Sequence, residues 1–301
     1  TLISGANGSG KTSLLEAIYL ALRGTSFRSS DKEIVKRDGD FNWFRIDLIS
    51  IDGEKRIVKF DSEKINGKKQ FEIDGKKSFR LTNLAKIPVI LFEPTDLQLL
   101  SGSPSRRRNF LDSFLEQIYP SFALALKKYD KALKQRNNLL KRDDFSGDEI
   151  FPWNLMLAEY GAEIINKRLE FVADLNLKIS LVYENISGVN DEIILKYDGE
   201  KMSKDRLLKS YNDNLAKDRL LGFTNFGPHR HDLKFYFNGA EANNVASRGE
   251  NRSIVLALKF LETDILAKLT DKEPIILLDD VFSELDETRQ NLLTEFFSKY
   301  Q

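Results

Sequence analysis

Cysteine is absent from the 301 residues, which excludes disulfides and thiolate metal sites and is compatible with a reducing compartment. Net charge is absent too. Lys and Arg total 46 and so do Asp and Glu, so no global basicity argues for nucleic acid, and any polyanion-binding surface must be local. No apolar run approaches the roughly 18 residues needed to cross a bilayer, and no signal peptide is visible. The expectation is a cytoplasmic chain with no membrane partner. His229 and His231 are the only histidines, and with Asp232 they offer too few ligands for a metal site. No internal repeat or low-complexity tract is found. What remains, with 41% hydrophobic residues, is enough to bury a sizeable core in one large or two moderate domains.

The first stretch with a chemical demand is "ISGANGSGKTSLLEAIY", residues 3–19. Gly5, Gly10, Lys11 and Thr12 satisfy the phosphate-loop spacing, in which glycines let backbone N–H groups converge on a phosphate. Gly5, Ala6, Asn7, Gly8, Ser9, Gly10, Lys11, Thr12 and Ser13 are therefore the expected nucleotide-binding residues. Lys11 is expected on the β- and γ-phosphates and the Thr12 hydroxyl on Mg²⁺, with a helix over about 11–22 directing its positive end at the anion. The cofactors implied are ATP and Mg²⁺.

Residues 1–4 read as the end of a buried strand whose neighbour nothing upstream supplies, and the chain stops after a helix that should feed another strand. A longer protein is expected. Between Phe44 and Lys77 the apolar period is two, and Asp52-Gly53, Asn66-Gly67 and Asp74-Gly75 are hairpin dipeptides, so this region predicts an antiparallel meander. "KIPVILFEP", residues 86–94, suits a short buried strand. From about 105 to 187 the text is helical, with stripes at Phe122, Leu126, Tyr129 and Leu133 and at Ile165, Leu169, Val172, Ile179 and Ile186. Those stripes predict core packing, in two helical segments separated by the polar break "FSGDEIFPW". Strands are expected near 193–197 and 233–237, and a long helix near 247–269.

"PIILLDD", residues 274–280, joins a continuous apolar run to two carboxylates, the pattern of a parallel strand ending at a site. Asp279 is expected to hold Mg²⁺, and Asp280 to orient or deprotonate the attacking water. Alone, such a pair is more often a helix cap. The phosphate loop at the other end of the chain makes the catalytic reading stronger.

This layout resembles the ATP-binding-cassette heads of chromosome-maintenance proteins. "ASRGENR", residues 246–252, is similar to the cassette signature loop, with Ser247, Arg248, Gly249 and Glu250 at its centre; "SELD", with Ser283 and Asp286, resembles the D-loop. The resemblance implies that the signature meets the γ-phosphate held by the opposite subunit, although Ser247 also reads as a plain N-cap. "SGSPSRRRNFLD" (101–112), "GPHRHDL" (227–233) and "GTSFRS" (24–29) narrow the resemblance to the RecF family. It implies an α/β P-loop NTPase with an ABC-type ATPase head, an antiparallel β meander and a helical insertion lobe. The implied divisions are 1–100 with 188–301 for the core, including the meander at 41–79, and 101–187 for the insertion. It further implies an ATP-dependent homodimer that binds double-stranded or gapped DNA and works with RecR and RecO to place RecA.

Three features depart from the pattern. Thr25 stands where arginine is common, though Arg28 remains; no glutamine closes the strand near 90–94; and no switch histidine occurs in 281–301. Asp280, shorter than the glutamate of transporter cassettes, suits slow hydrolysis. Arg106, Arg107 and Arg108 form the densest basic run and read as a solvated helix start, a DNA contact or a link between lobes. "KKYDKALKQRNNLLKR", residues 127–142, reads as a second basic face, solvent-exposed rather than DNA-bound. The rival functions are an SMC-like chromosome organiser, which needs a helical arm not seen here, and a transporter cassette, disfavoured by the insertion and "GPHRHDL".

Overall fold

A computed structural model of the chain describes residues 1–35, 42–64, 67–142, 144–270 and 272–300. The elements run α1 (Lys11–Arg23), α2 (Asp31–Ile34), β1 (Trp43–Ile49), β2 (Lys55–Asp61), β3 (Lys69–Ile73), β4 (Lys76–Ser78), β5 (Val89–Phe92), α3 (Pro104–Ile118), α4 (Pro120–Leu140), α5 (Gly147–Asn176) and α6 (Ile179–Ser187). They continue with β6 (Ile193–Tyr197), α7 (Lys204–Asp213), α8 (Leu215–Leu221), β7 (Leu233–Phe237), β8 (Ala240–Glu241), α9 (Ala242–Val245), α10 (Arg248–Leu269), β9 (Ile275–Leu278) and α11 (Glu287–Ser298). Two compact units divide the chain: Thr1–Glu93, Thr270–Ser283 and Phe297–Gln301 form the first, and Pro94–Leu269 with Glu284–Phe296 the second. The 101–187 segment lies within the second unit, which also takes in 188–269.

The first unit is built around α1. Leu20 and Ala21 pack on Val58 and Phe71 of the antiparallel sheet β1-β2-β3-β4, while Leu22 packs with Val89 and Leu277 of the parallel pair β5-β9. Two apolar faces on one helix explain why its text is nearly continuous from Leu14 to Leu22. The hairpin dipeptides act as their chemistry requires: Gly53, Asp74 and Gly75 all have positive φ, while Asn66 and Phe41 lie outside the described residues. The strand expected at 1–4 does not form. Leu2 is 94% exposed, and among the described residues no neighbouring strand pairs with this segment, so it has no ladder to join.

In the second unit, α4 and α5 pack together, α5 also packs on α7 and β6, and β6-β7-β8 form an antiparallel sheet. The helical text resolves into four helices, α3 to α6, rather than two segments. The expected break is mostly helix: Ser146 caps α5 in a reciprocal box with Glu149, and Pro152 is carried inside the helix. A capping box is strong enough to start a helix ahead of a proline near its beginning. The α4 stripe is rotated from the one expected. Phe122 and Tyr129 are buried with Ala125, Ala132, Arg136 and Leu140, while Leu126 and Leu133 are only half-buried.

Candidate nucleotide site

The phosphate loop is shaped for an anion. Gly10 caps α1 at φ 93° with no side-chain acceptor, and Gly8 has φ 79°. The first amides of α1 therefore face outward without a capping side chain. Lys11 Nζ donates to the carbonyl oxygens of Gly5 (2.9 Å) and Ala6 (3.0 Å), so the ammonium is folded over the loop it is expected to serve. Thr12 Oγ1 donates to Asp279 Oδ1 at 3.0 Å. Parallel pairing of β5 with β9 carries Asp279 there, and its amide donates to Phe92 O at 3.0 Å. A hydroxyl and a carboxylate oxygen converging beside a phosphate loop are the hard oxygen donors that Mg²⁺ prefers, so the residues present fit that ion.

Asp280 is exposed and has φ 51°, and its carbonyl accepts from Ser283 Oγ at 2.8 Å. Aspartate tolerates this left-handed geometry better than most residues. The turn takes the chain out of β9 directly after Asp279.

Glu16, missed in the sequence, is buried on α1 and gathers the 24–29 loop. Its carboxylate accepts from Ser29 Oγ at 2.6 Å, from Arg28 Nε at 3.2 Å and from Ser26 Oγ. The signal was available: it is the lone charge in the apolar text from Leu14 to Leu22.

In the second unit Ser247 is an N-cap. It accepts from the Glu250 amide at 3.2 Å while Glu250 Oε2 accepts from the Ser247 amide at 2.6 Å. Arg289, also missed, holds this loop: its guanidinium donates to Gly249 O (3.0 Å) and Ser253 Oγ (2.9 Å) and pairs with Asp286. One arginine thus ties Asp286 to Gly249. Arg248 is exposed at the start of α10.

The arginine run is engaged within the second unit. Arg107 forms a bidentate pair with Asp232 (2.7 and 2.8 Å) and donates to Leu100 O and Gly102 O. Arg108 donates to His231 O at 2.8 Å, and Arg106 to Thr95 O at 2.5 Å. Stretches 101–112 and 227–233 therefore meet, and Arg168 joins them through Asp112, Tyr197 and Pro228 O. His229 Nδ1 accepts from Tyr129 OH at 2.7 Å and its Nε2 donates to Thr224 O at 3.0 Å. Tyr211 OH lies 3.1 Å from Tyr129 OH. Burial, ahead of the nearby cations, pushes the imidazole down to about 4, so near pH 7 it is neutral, and with Nε2 donating to the Thr224 carbonyl Nδ1 is the acceptor. Gly227, at φ 126°, is required here because a Cβ would press into the hydroxyls of Tyr211 and Tyr129. Among the described residues no group of His, Asp and Glu is arranged to hold a metal by itself.

A phosphate loop whose threonine meets a strand-end aspartate, in a unit that also holds an antiparallel meander, defines the class: a P-loop ATPase. The family model described as an AAA domain matches residues 1–294. The chain is 37% identical to the DNA replication and repair protein RecF of Agathobacter rectalis over 100% of this chain and 83% of that one. It is 36% identical to the protein of the same name from Natranaerobius thermophilus, over 97% and 81%. Two solved structures of the recombination mediator protein RecF in the RecFOR pathway superpose closely. RecF-ATP has TM-score 0.85 and 34% identity, over 100% of this chain and 84% of that one; RecF-ATPrS has 0.86 and 30%, over 97% and 82%. The chain belongs to the RecF family of DNA replication and repair proteins, as its motifs implied, with the ATPase fold of that family. Among the described residues no helix is long and apolar enough to cross a membrane.

Proposed function

We propose that the chain is an ATP-switched, DNA-binding dimer of recombinational repair, working in the cytoplasm with RecR and RecO to place RecA on gapped or damaged DNA. The strongest support is the Thr12 to Asp279 hydrogen bond of 3.0 Å, which joins residues 267 positions apart into one site. Lys11 binds the β- and γ-phosphates, and Thr12 and Asp279 hold Mg²⁺, which when bound screens phosphate charge. Asp280 orients the attacking water, and its short side chain on a turn suits slow hydrolysis. Ser247, Arg248, Gly249 and Glu250 of the partner chain close the site over the γ-phosphate, and Ser283 and Asp286 belong to the loop facing that interface. Isologous pairing of two chains supplies two such sites.

Complementation tests this. Lys11→Met removes the phosphate-binding ammonium and Ser247→Arg blocks the signature, so neither homodimer hydrolyses ATP. Mixed, they form heterodimers with one doubly damaged site and one intact site. Random exchange makes half the dimers mixed, so activity recovers to about a quarter of wild-type sites if the two sites are independent. No recovery, with mixed dimers demonstrated, excludes the shared site, because a site built within one chain cannot be complemented.

A further inference from the structure

The basic text at 127–142 holds seven Lys and Arg and one acid, Asp130, and the fold sorts these cations into two populations. Three are engaged. Arg136 is fully buried and bonded to Asp218, Asn154 and Thr224; Lys128 donates to Tyr160 OH; and Arg142 pairs with Asp144 and Glu149. The other four, Lys127, Lys131, Lys134 and Lys141, are all exposed and make no ion pair among the described residues. Asp130 feels Lys134 electrostatically without pairing to it.

Their spacing of four, three and seven residues, with Asn138 filling the gap, places all four on one line along α4 and its C-cap. That line lies opposite the buried face formed by Phe122, Ala125, Tyr129, Ala132, Arg136 and Leu140. Fourteen residues of helix span about 21 Å. Over that length duplex DNA rises about six base pairs, and each strand presents a phosphate every 3.4 Å or so. A solvated surface helix ordinarily intersperses both signs, because i to i+4 pairs of opposite charge stabilise it. Of the exposed charges on this face four are lysines and one, Asp130, is an acid, and there is no glutamate, in a chain whose total charge is balanced. The arginines at 106–108, by contrast, are tied into the protein.

We propose that this outer face of α4 docks the sugar-phosphate backbone of duplex DNA. The assignment deepens the DNA-binding reading above and rests on it. Lysines at such a surface act as point charges that release counterions, so they add affinity without sequence preference.

The test compares wild type with the variant Lys127→Gln, Lys131→Gln, Lys134→Gln and Lys141→Gln in binding to a short duplex with ATP present, over a range of salt. ATP affinity and circular dichroism serve as checks that the variant is folded. If each lysine meets one phosphate, the slope of log affinity against log salt becomes shallower by about 3.6, at about 0.9 per contact. A loss of two or more in slope, with ATP affinity unchanged, supports the assignment. Wild-type binding with an unchanged slope in the variant overturns the assignment alone, whereas no salt-dependent binding by wild type removes the DNA reading with it. A variant that keeps the DNA slope but loses binding to polyglutamate overturns it in favour of an acidic protein partner.

Discussion

Lowering the pH should destabilise the second unit through His229, and the amount follows from the surroundings of one ring. The imidazole is buried, accepts from Tyr129 OH and donates to Thr224 O, and burial with nearby Arg230 and Arg108 brings it down to about 4. An exposed histidine in the unfolded chain titrates near 6.5. Because the folded value is the lower one, the unfolded chain binds the extra proton first. Stability is therefore fully present above about pH 7, falls between about 6.5 and 4, and is flat below. A gap of about 2.5 pH units at about 1.4 kcal/mol each sets a ceiling near 3.4 kcal/mol, of which about 2 kcal/mol is lost by about pH 5. His231 is also lowered, chiefly by burial, so the comparison must be made within one background. Urea unfolding of wild type and His229→Gln at about pH 7.5 and pH 5 isolates the contribution: the variant should lose about 2 kcal/mol less across that interval. An NMR titration of the ring gives the folded value directly. A ring that titrates near 6.5, or a variant with the wild-type pH dependence, refutes the reasoning.

Asp280→Asn removes the water-orienting carboxylate while keeping a residue that tolerates φ 51°, so ATP binding should survive, hydrolysis should fall at least tenfold, and the ATP-bound dimer should persist longer in size-exclusion runs. Arg136→Ala leaves the fully buried Asp218 without its cation and should cost about 3–5 kcal/mol in urea unfolding; pairing it with Asp218→Ala should recover part of that. Arg289→Ala releases Gly249 O and Asp286, and so should weaken ATP-dependent dimerisation several-fold while nucleotide affinity of the monomer stays within twofold of wild type.

The glycine-rich loop, both strand-end aspartates, the meander and the strands at 193–197 and 233–237, though not their pairing, were legible because each depends on neighbours a few residues away. Glycine at a left-handed position, an apolar run bounded by carboxylates and a two-residue turn carry the same constraint wherever they occur. Even the meeting of Thr12 with Asp279 could be inferred, since each half of the site demands the other. The fate of individual charges was not legible in the same way. Arg136 and Lys134 stand two residues apart in one basic stretch, yet the first lies at 0% exposure against Asp218 and the second is in solvent. Arg107 was as eligible for DNA as any cation until the fold brought Asp232 to it, while Arg289 drew no notice and His229 read only as an insufficient metal ligand, because their partners come from remote elements. An ionised or polar side chain gains or loses several kcal/mol according to what surrounds it. Those surroundings are assembled only when distant segments pack, so the local text determined most of the elements and the glycine-rich loop, and the tertiary structure alone decided which charges hold the protein together and which stay in solvent.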